Sequence, residues 1–175
     1  MRCDVFEKQV GGAELNVAVG VSLLGLHTGI ISKIPSHDIG SFMKGKIRSY
    51  GVSDDFFIYD KSPSARVGIY YYENGAYPRK PKVIYDRANS SFYSIKIDEI
   101  PEEVYSATKC FHTSGITLAL NPQIRKTAIE MIKRFKEAGT LVSFDVNFRG
   151  NLWTGAEAKE CIEQILPYVD IFFCS

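Results

Sequence analysis

Apolar positions along the chain follow two alternating rhythms, one of helical spacing and one of short continuous runs. Residues 13–24 crowd small and branched apolar side chains together (Val17, Ala18, Val19, Val21, Leu23, Leu24), and Gly25 then stands where a helix stops, which predicts a buried helix. Residues 28–33 read as a short strand. Over residues 38–50, Ile39, Phe42, Met43, Ile47 and Tyr50 recur at three- and four-residue spacing ahead of Gly51, predicting an amphipathic helix. Residues 109–112 form a second strand candidate. Asn121 stands as an N-cap with Pro122 in the first helical position, and Ile124, Ala128, Ile132 and Phe135 share one face of the helix that Gly139 closes. Residues 141–146 are an apolar strand, Thr154 caps a helix running to about Leu166, and residues 169–173 are again strand-like. Strand and helix in alternation predict βαβ units, with a parallel sheet covered by helices on both faces.

One segment breaks the rhythm. Residues 64–87 hold two strand-like runs, 65–73 and 82–87, joined by a turn segment containing Asn74-Gly75 and Pro78 to Pro81, which predicts a hairpin projecting from the main domain. The two ends are abrupt. Residues 170–175 read as a buried parallel strand with no element after it, and the ten residues before Gly11-Gly12 supply no complete opening βαβ unit. The expectation is an α/β domain incomplete at both ends.

Composition narrows the function classes. A chain of 175 residues fits one domain, and a domain of that size buries roughly 70% of its unfolded surface. Its 45% hydrophobic and 23% charged residues are those of a folded globular protein. Lys plus Arg total 21 against 20 Asp plus Glu, with no long basic run, so nucleic acid is not an expected partner. The apolar stretches at 15–26 and 165–173 are too short or interrupted for the ~20 residues of a bilayer span, and no secretory signal follows Met1. No membrane partner and a cytoplasmic location are the expectation. Cys3, Cys110, Cys161 and Cys174 form no C-x-x-C pair and have no His at ligand spacing, so they read as four reduced, mostly buried thiols rather than metal ligands or a disulfide framework.

Three groups of residues are candidates for chemistry. Gly11-Gly12 precedes a helix with Asn16 one turn inside, so backbone N–H groups and an amide face an oxygen-rich ligand, or the glycines simply make the turn. Asp145, Asn147 and Arg149 follow an apolar strand, where parallel sheets place ligands; a solvated strand end with an Arg ion pair is the plainer reading. The hairpin carries Tyr70, Tyr71 and Tyr72 on one strand and Tyr85 and Arg87 on the other. Period-two alternation puts Tyr70 with Tyr72, and Tyr85 with Arg87, on shared faces. Such a surface suits a small polyhydroxylated acid, while cross-strand aromatic packing explains the tyrosines without a ligand. His27, His37 and His112 are scattered, and Ser114-Gly115 reads as a strand-to-helix turn.

Together these segments resemble the PfkB, or ribokinase-like, sugar kinases. The matching pieces are Gly11-Gly12-Ala13-Glu14-Leu15-Asn16-Val17-Ala18 with Gly25 following, and Lys33-Ile34-Pro35 through Gly40 to Tyr50-Gly51-Val52. Within that family the chain is most similar to 2-keto-3-deoxygluconate kinases, through Gly68-Ile69-Tyr70, Val83-Ile84-Tyr85-Asp86-Arg87-Ala88, Phe111-His112-Thr113-Ser114-Gly115-Ile116 and Phe144-Asp145-Val146-Asn147-Phe148-Arg149. The resemblance covers essentially the whole chain and implies a three-layer parallel-sheet domain with a small β-hairpin lid at about 64–87. It implies that Gly12 and Asn16 bind substrate hydroxyls, that Tyr70, Tyr85 and Arg87 reach the substrate from the lid, and that Arg149, beside Asn147, meets the substrate or the transferring phosphate.

The reaction so implied is transfer of the ATP γ-phosphoryl to a sugar-acid hydroxyl with Mg²⁺, by a parent protein of which this chain is the substrate-binding half. Phe148 stands where the family more usually has Tyr, and the family's first strand ahead of the Gly-Gly loop has no counterpart. The family's catalytic Asp is expected beyond Ser175, so no catalytic base and no metal ligand is assigned, and the chain alone is expected to be inactive. The alternatives are a kinase for fructose or another neutral sugar, and a standalone carbohydrate-binding module; the two arginines argue for an acid. Exposed lid strands make a lid-to-lid homodimer an expected partner arrangement.

Overall fold

The computed structural model describes residues 4–174. In chain order the elements are α1 (Ala13–Leu23), β1 (Thr28–Gly29), β2 (Ser32–Pro35), α2 (Asp38–Ser49), β3 (Val52–Ser53), β4 (Phe57–Asp60), β5 (Ile69–Glu73), β6 (Lys82–Asp86), α3 (Glu103–Ala107), β7 (Cys110–Ser114), α4 (Gly115–Ala119), α5 (Pro122–Glu137), β8 (Leu141–Asp145), α6 (Gly155–Ile165) and β9 (Ile171–Phe173). Gly25 and Gly51 lie just past α1 and α2 at φ 83° and 76°, the left-handed backbone that ends a helix at least cost with glycine.

Parallel pairs join β1 to β3, β2 to β4, and β7 to β8 to β9, while β5 and β6 form an antiparallel hairpin. Helices cover both faces. On one, Leu15 of α1 and Ile47 of α2 pack with Ile34, Val52 and Phe57. On the other, Ile31, Phe56 and Ile58 join a larger core in which Phe111, Val142 and Phe144 meet Ile132 and Phe135 of α5 and Ile162 and Ile165 of α6. This is the three-layer α/β arrangement expected from the alternation of elements. The strand expected over residues 28–33 is two short strands, and that expected over 109–112 runs on to Ser114.

The longest helix, α5, shows how local chemistry fixes an element. Asn121 Oδ1 accepts the Ile124 N–H at 2.7 Å, and its Nδ2 donates to the Tyr93 carbonyl at 3.0 Å. Ile124, Ala128, Met131, Ile132 and Phe135 are buried along one side. Asn121→Ala removes the cap and is expected to cost about 1–2 kcal/mol of unfolding free energy, read as a lower urea midpoint with unchanged slope. A midpoint equal to the unsubstituted chain would show that the cap adds nothing.

Three expectations are corrected. Helix α1 is not buried: Leu15 is enclosed, but Val17 faces outward and Leu23 and Leu24 are 81% exposed. Its apolar residues circle the whole helix, and only one side meets the neighbouring strands. The terminal strand-like run is likewise exposed, Ile171 at 42% and Phe173 at 54%; among the described residues β9 pairs with β8 alone. The thiols are not mostly buried either. Cys161 is enclosed in the larger core, whereas Cys110 at the start of β7 and Cys174 just past β9 are exposed; Cys3 lies outside the described residues. Among the described residues no helix is long and apolar enough to cross a membrane.

Candidate functional site

The start of α1 forms one wall. Gly12 is its N-cap in extended backbone, with no side-chain cap, and a Cβ there would meet nothing nearer than Leu15 Cβ at 3.8 Å. The glycine therefore leaves its backbone approachable. At Gly11 a Cβ would lie 2.7 Å from the Tyr70 hydroxyl, so the hairpin leans directly onto the glycine loop. Asn16 is exposed, its own N–H given to the Gly12 carbonyl at 2.9 Å and its side chain left without a hydrogen bond among the described residues.

The hairpin is the second wall. Tyr70 stands opposite Tyr85 in the β5–β6 register, their ring centroids 6.2 Å apart. The Arg87 guanidinium carbon lies 4.5 Å from the Tyr85 ring centre, a cation–π distance. Among the described residues Arg87 has no carboxylate partner. Arg66, at the root of the other strand, differs: it pairs with the Asp86 carboxylate at 2.8 Å and donates to the Ala88 carbonyl at 2.9 Å. One arginine fastens the hairpin root, and the other is left with an aromatic face and a free fork.

The third wall is the C-terminal end of β7 and β8. Ser114 sits opposite Asp145, whose Oδ1 accepts the Asn147 N–H at 3.0 Å. Asn147 has φ 36°, a left-handed conformation that Asn tolerates better than most residues. Arg149 is exposed and donates to the Phe148 carbonyl at 3.0 Å. The ion pair suggested for this strand end does not form among the described residues. Alternation along the strands places His112, Ser114, Ser143 and Asp145 on one face, a polar strip toward α1. His112 Nδ1 lies 3.0 Å from the Ser143 hydroxyl. Burial holds the His112 ring below the ordinary imidazole range, against the opposing pull of the Glu14 and Asp145 carboxylates.

The walls are joined by contacts. Arg87 lies over the Tyr85 ring, Tyr85 packs at a tilt against Tyr70, and Tyr70 touches Gly11; from α1, Glu14 Oε1 accepts hydrogen bonds from both the Ser114 and the Thr117 hydroxyls at 2.7 Å. The structure thus links Tyr70, Tyr85 and Arg87 to Gly11, the neighbour of Gly12, and Glu14, two residues past Gly12, ties this loop to the strand end that leads to Asn147 and Arg149. The Asn16 and Arg149 side chains bond to none of the others. Sequence reasoning missed Arg66, Glu14 and Thr117 as site-building residues. The one visible signal was Glu14 itself, an acid in the first turn of a helix, inside the Gly11–Ala18 motif. Two surface cavities lie elsewhere, about 720 Å³ beside α5 and about 380 Å³ at the hairpin root near Asp60 and Ser91. Among the described residues no three His, Cys, Asp or Glu side chains gather as a metal site.

The sequence matches the model of the pfkB family carbohydrate kinases over residues 1–175. A 2-dehydro-3-deoxygalactonokinase of Haloferax volcanii is 38% identical over 165 residues, 94% of this chain and 51% of that protein. A 2-dehydro-3-deoxygluconokinase of Bacillus subtilis is 29% identical over 96% of this chain and 52% of its own length. The crystal structure of a 2-dehydro-3-deoxygluconokinase from Thermotoga maritima superposes with TM-score 0.92 at 34% identity, over 98% of this chain and 52% of that one. The chain spans about half the length of the curated relatives it matches. With the matching model running from end to end and the same three-layer fold in the solved relatives, this chain belongs to the pfkB family of carbohydrate kinases.

Proposed function

We propose that this chain forms the sugar-binding side of a kinase that moves the γ-phosphoryl of ATP onto a hydroxyl of a 2-keto-3-deoxy sugar acid. The observation that carries the acid is Arg87, stacked on Tyr85 at the hairpin root with no carboxylate partner among the described residues. A guanidinium fork so placed suits a ligand carboxylate, and a neutral sugar offers it none. Gly12 and Asn16 bind the sugar hydroxyls from α1, while the Tyr70 and Tyr85 rings and hydroxyls cover the ligand from the hairpin. Arg149 and Asn147 stand by the transferring phosphoryl and offset the charge it spreads over its oxygens. In the reaction the acceptor oxygen bonds to the γ-phosphorus, the bond to the ADP oxygen breaks, and the hydroxyl proton leaves to a base that none of the described residues is assigned to supply. The described side chains do not form a cage for Mg²⁺.

The names of relatives point both ways on the sugar: besides the three dehydro-deoxy-sugar kinases above, a probable fructokinase of Arabidopsis thaliana is 32% identical over 95% of this chain. Titration of the purified chain with 2-keto-3-deoxygluconate and with fructose separates them. The acid is expected to bind more tightly, and Arg87→Ala to weaken it roughly tenfold or more, as loss of a charge-assisted hydrogen bond of about 1.5–3 kcal/mol requires. Equal affinity for fructose, or an Arg87→Ala affinity unchanged, would overturn the acid reading.

A further inference from the structure

Between α1 and the sheet, where a helix and a strand layer ordinarily meet through apolar side chains, this chain places a carboxylate on two hydroxyls. Glu14 is the second residue of α1, two positions past Gly12 and two before Asn16. Its Oε1 accepts hydrogen bonds from the Ser114 and Thr117 hydroxyls at 2.7 Å each, across 100 and 103 residues of sequence. Ser114 is fully buried and stands at the N-cap position of α4, its hydroxyl given to Glu14 rather than to the helix, and Thr117 lies one turn further on, so Glu14 holds the start of α4 by two points. That start is itself pressed on the end of β8: a Cβ on Gly115 would fall 2.1 Å from the Val146 carbonyl oxygen, between Asp145 and Asn147. No other side-chain hydrogen bond ties α1 to β7 or α4 among the described residues.

We infer that Glu14 is a positioning residue, a two-point clamp that fixes the Gly12 and Asn16 wall of the sugar site relative to the strand end carrying Asn147 and Arg149. The inference rests on the sugar-kinase reading above and adds to it the residue that sets the spacing between acceptor and phosphate walls. The C-terminal half of α1 is held by Ala18 and Val19 packing beside Leu15 and by hydrogen bonds from Ser22 to the Gly51 carbonyl and from Thr28 to the Ala18 carbonyl, whereas its first turn has no side-chain cap at Gly12 and rests on Leu15 and Glu14. Without the clamp the first turn of α1 can tilt about its anchored C-terminal half, and the hydroxyl-binding groups shift against the phosphate wall. Carboxylate oxygens accept hydroxyl hydrogen bonds at short range and hold them more strongly than neutral acceptors. Both donors converge on one oxygen, so an amide oxygen in the same place can replace it.

The test is a set of variants read by sugar-acid affinity. Glu14→Ala is expected to weaken 2-keto-3-deoxygluconate binding to the chain at least tenfold, while Glu14→Gln, which keeps an acceptor oxygen, restores it to within about threefold. Ser114→Ala with Thr117→Val removes the clamp from the other side, and is expected to weaken binding as Glu14→Ala does while leaving the α1 sequence intact. This second route also answers the case in which Glu14→Ala does not fold. Amide NMR shifts of Gly11, Gly12 and Asn16 are expected to move in both clamp-deficient forms and to return in Glu14→Gln. An unsubstituted chain that binds no sugar acid overturns the functional reading and this inference with it. A chain that binds, with either clamp-deficient form folded and binding equally well, overturns this inference alone. A Glu14→Gln form as weak as Glu14→Ala would overturn it too, since the charge and not the two-point contact would then be what matters.

Discussion

Phe135→Ala is expected to cost about 3–5 kcal/mol of stability, the range for truncating a buried aromatic side chain. The ring is wholly enclosed on the inner side of α5. It stacks on Phe111 of β7 with centroids 4.2 Å apart and planes 14° from parallel, and meets Tyr105 of α3 at 4.7 Å. Three elements therefore share one ring, and removing it opens a cavity none of them can fill without moving. Total stabilities of domains run about 5–15 kcal/mol, so a loss of this size takes a large share of the whole. Urea unfolding followed by Trp153 fluorescence reads it directly, since Trp153 is buried in the same core. Phe135→Leu, which leaves a smaller void, is expected to lose less. A loss for Phe135→Ala below about 1 kcal/mol would mean the core relaxes freely around the gap and the aromatic stack is not what joins α5 to the sheet. Because β7 leads into Ser114, slackening at Phe111 also reaches the clamp on Glu14.

How much of this could be read from the sequence depended on the range over which each signal acts. Helices α5 and α6 were legible because their signals are local: Asn121 and Thr154 cap the helix three residues on, and the buried positions repeat within a few turns. The hairpin was legible for the same reason, although its first strand begins at Ile69 rather than at 65 and its second ends at Asp86, one residue before Arg87. Strands β3 and β4 were not, because Val52–Ser53 is two residues long and Phe57–Asp60 mixes two apolar residues with Tyr59 and Asp60. What makes these segments strands is pairing with β1 and β2, across 24 residues or more of chain.

The exposure of α1 was hidden for a different reason. Sequence reports that a helix is apolar all round, and does not report what covers it. The candidate site divides along the same line. Each wall announced itself by residue type, but the links between walls, Tyr70 to Gly11 and Glu14 to Ser114, join positions 59 and 100 residues apart and have no local trace.

The turn between β7 and α4 is where fold and site constrain each other most tightly, and Gly115→Ala is expected to damage both. The added methyl would sit 2.1 Å from the Val146 carbonyl oxygen and 3.5 Å from the Trp153 ring. The nearer neighbour is backbone, so relief requires the end of β8 or the start of α4 to shift. Forcing extra volume into such a place costs about 1–3 kcal/mol. Whichever side yields, the strain falls on the site. Movement of α4 carries Ser114 and Thr117 away from Glu14, and movement of β8 displaces Asn147, already at positive φ, together with Arg149. We therefore expect a lowered unfolding midpoint together with at least tenfold weaker sugar-acid binding. Gly155→Ala is the matched control. A Cβ at Gly155, in the first turn of α6, would meet nothing within 4 Å, so that change is expected to leave binding unaltered and stability equal or higher by up to about 1 kcal/mol. Should Gly115→Ala match Gly155→Ala in both measurements, the close approach of the β7–α4 turn to Val146 would not be a constraint in solution, and the tie between the two walls would have to run through Glu14 alone.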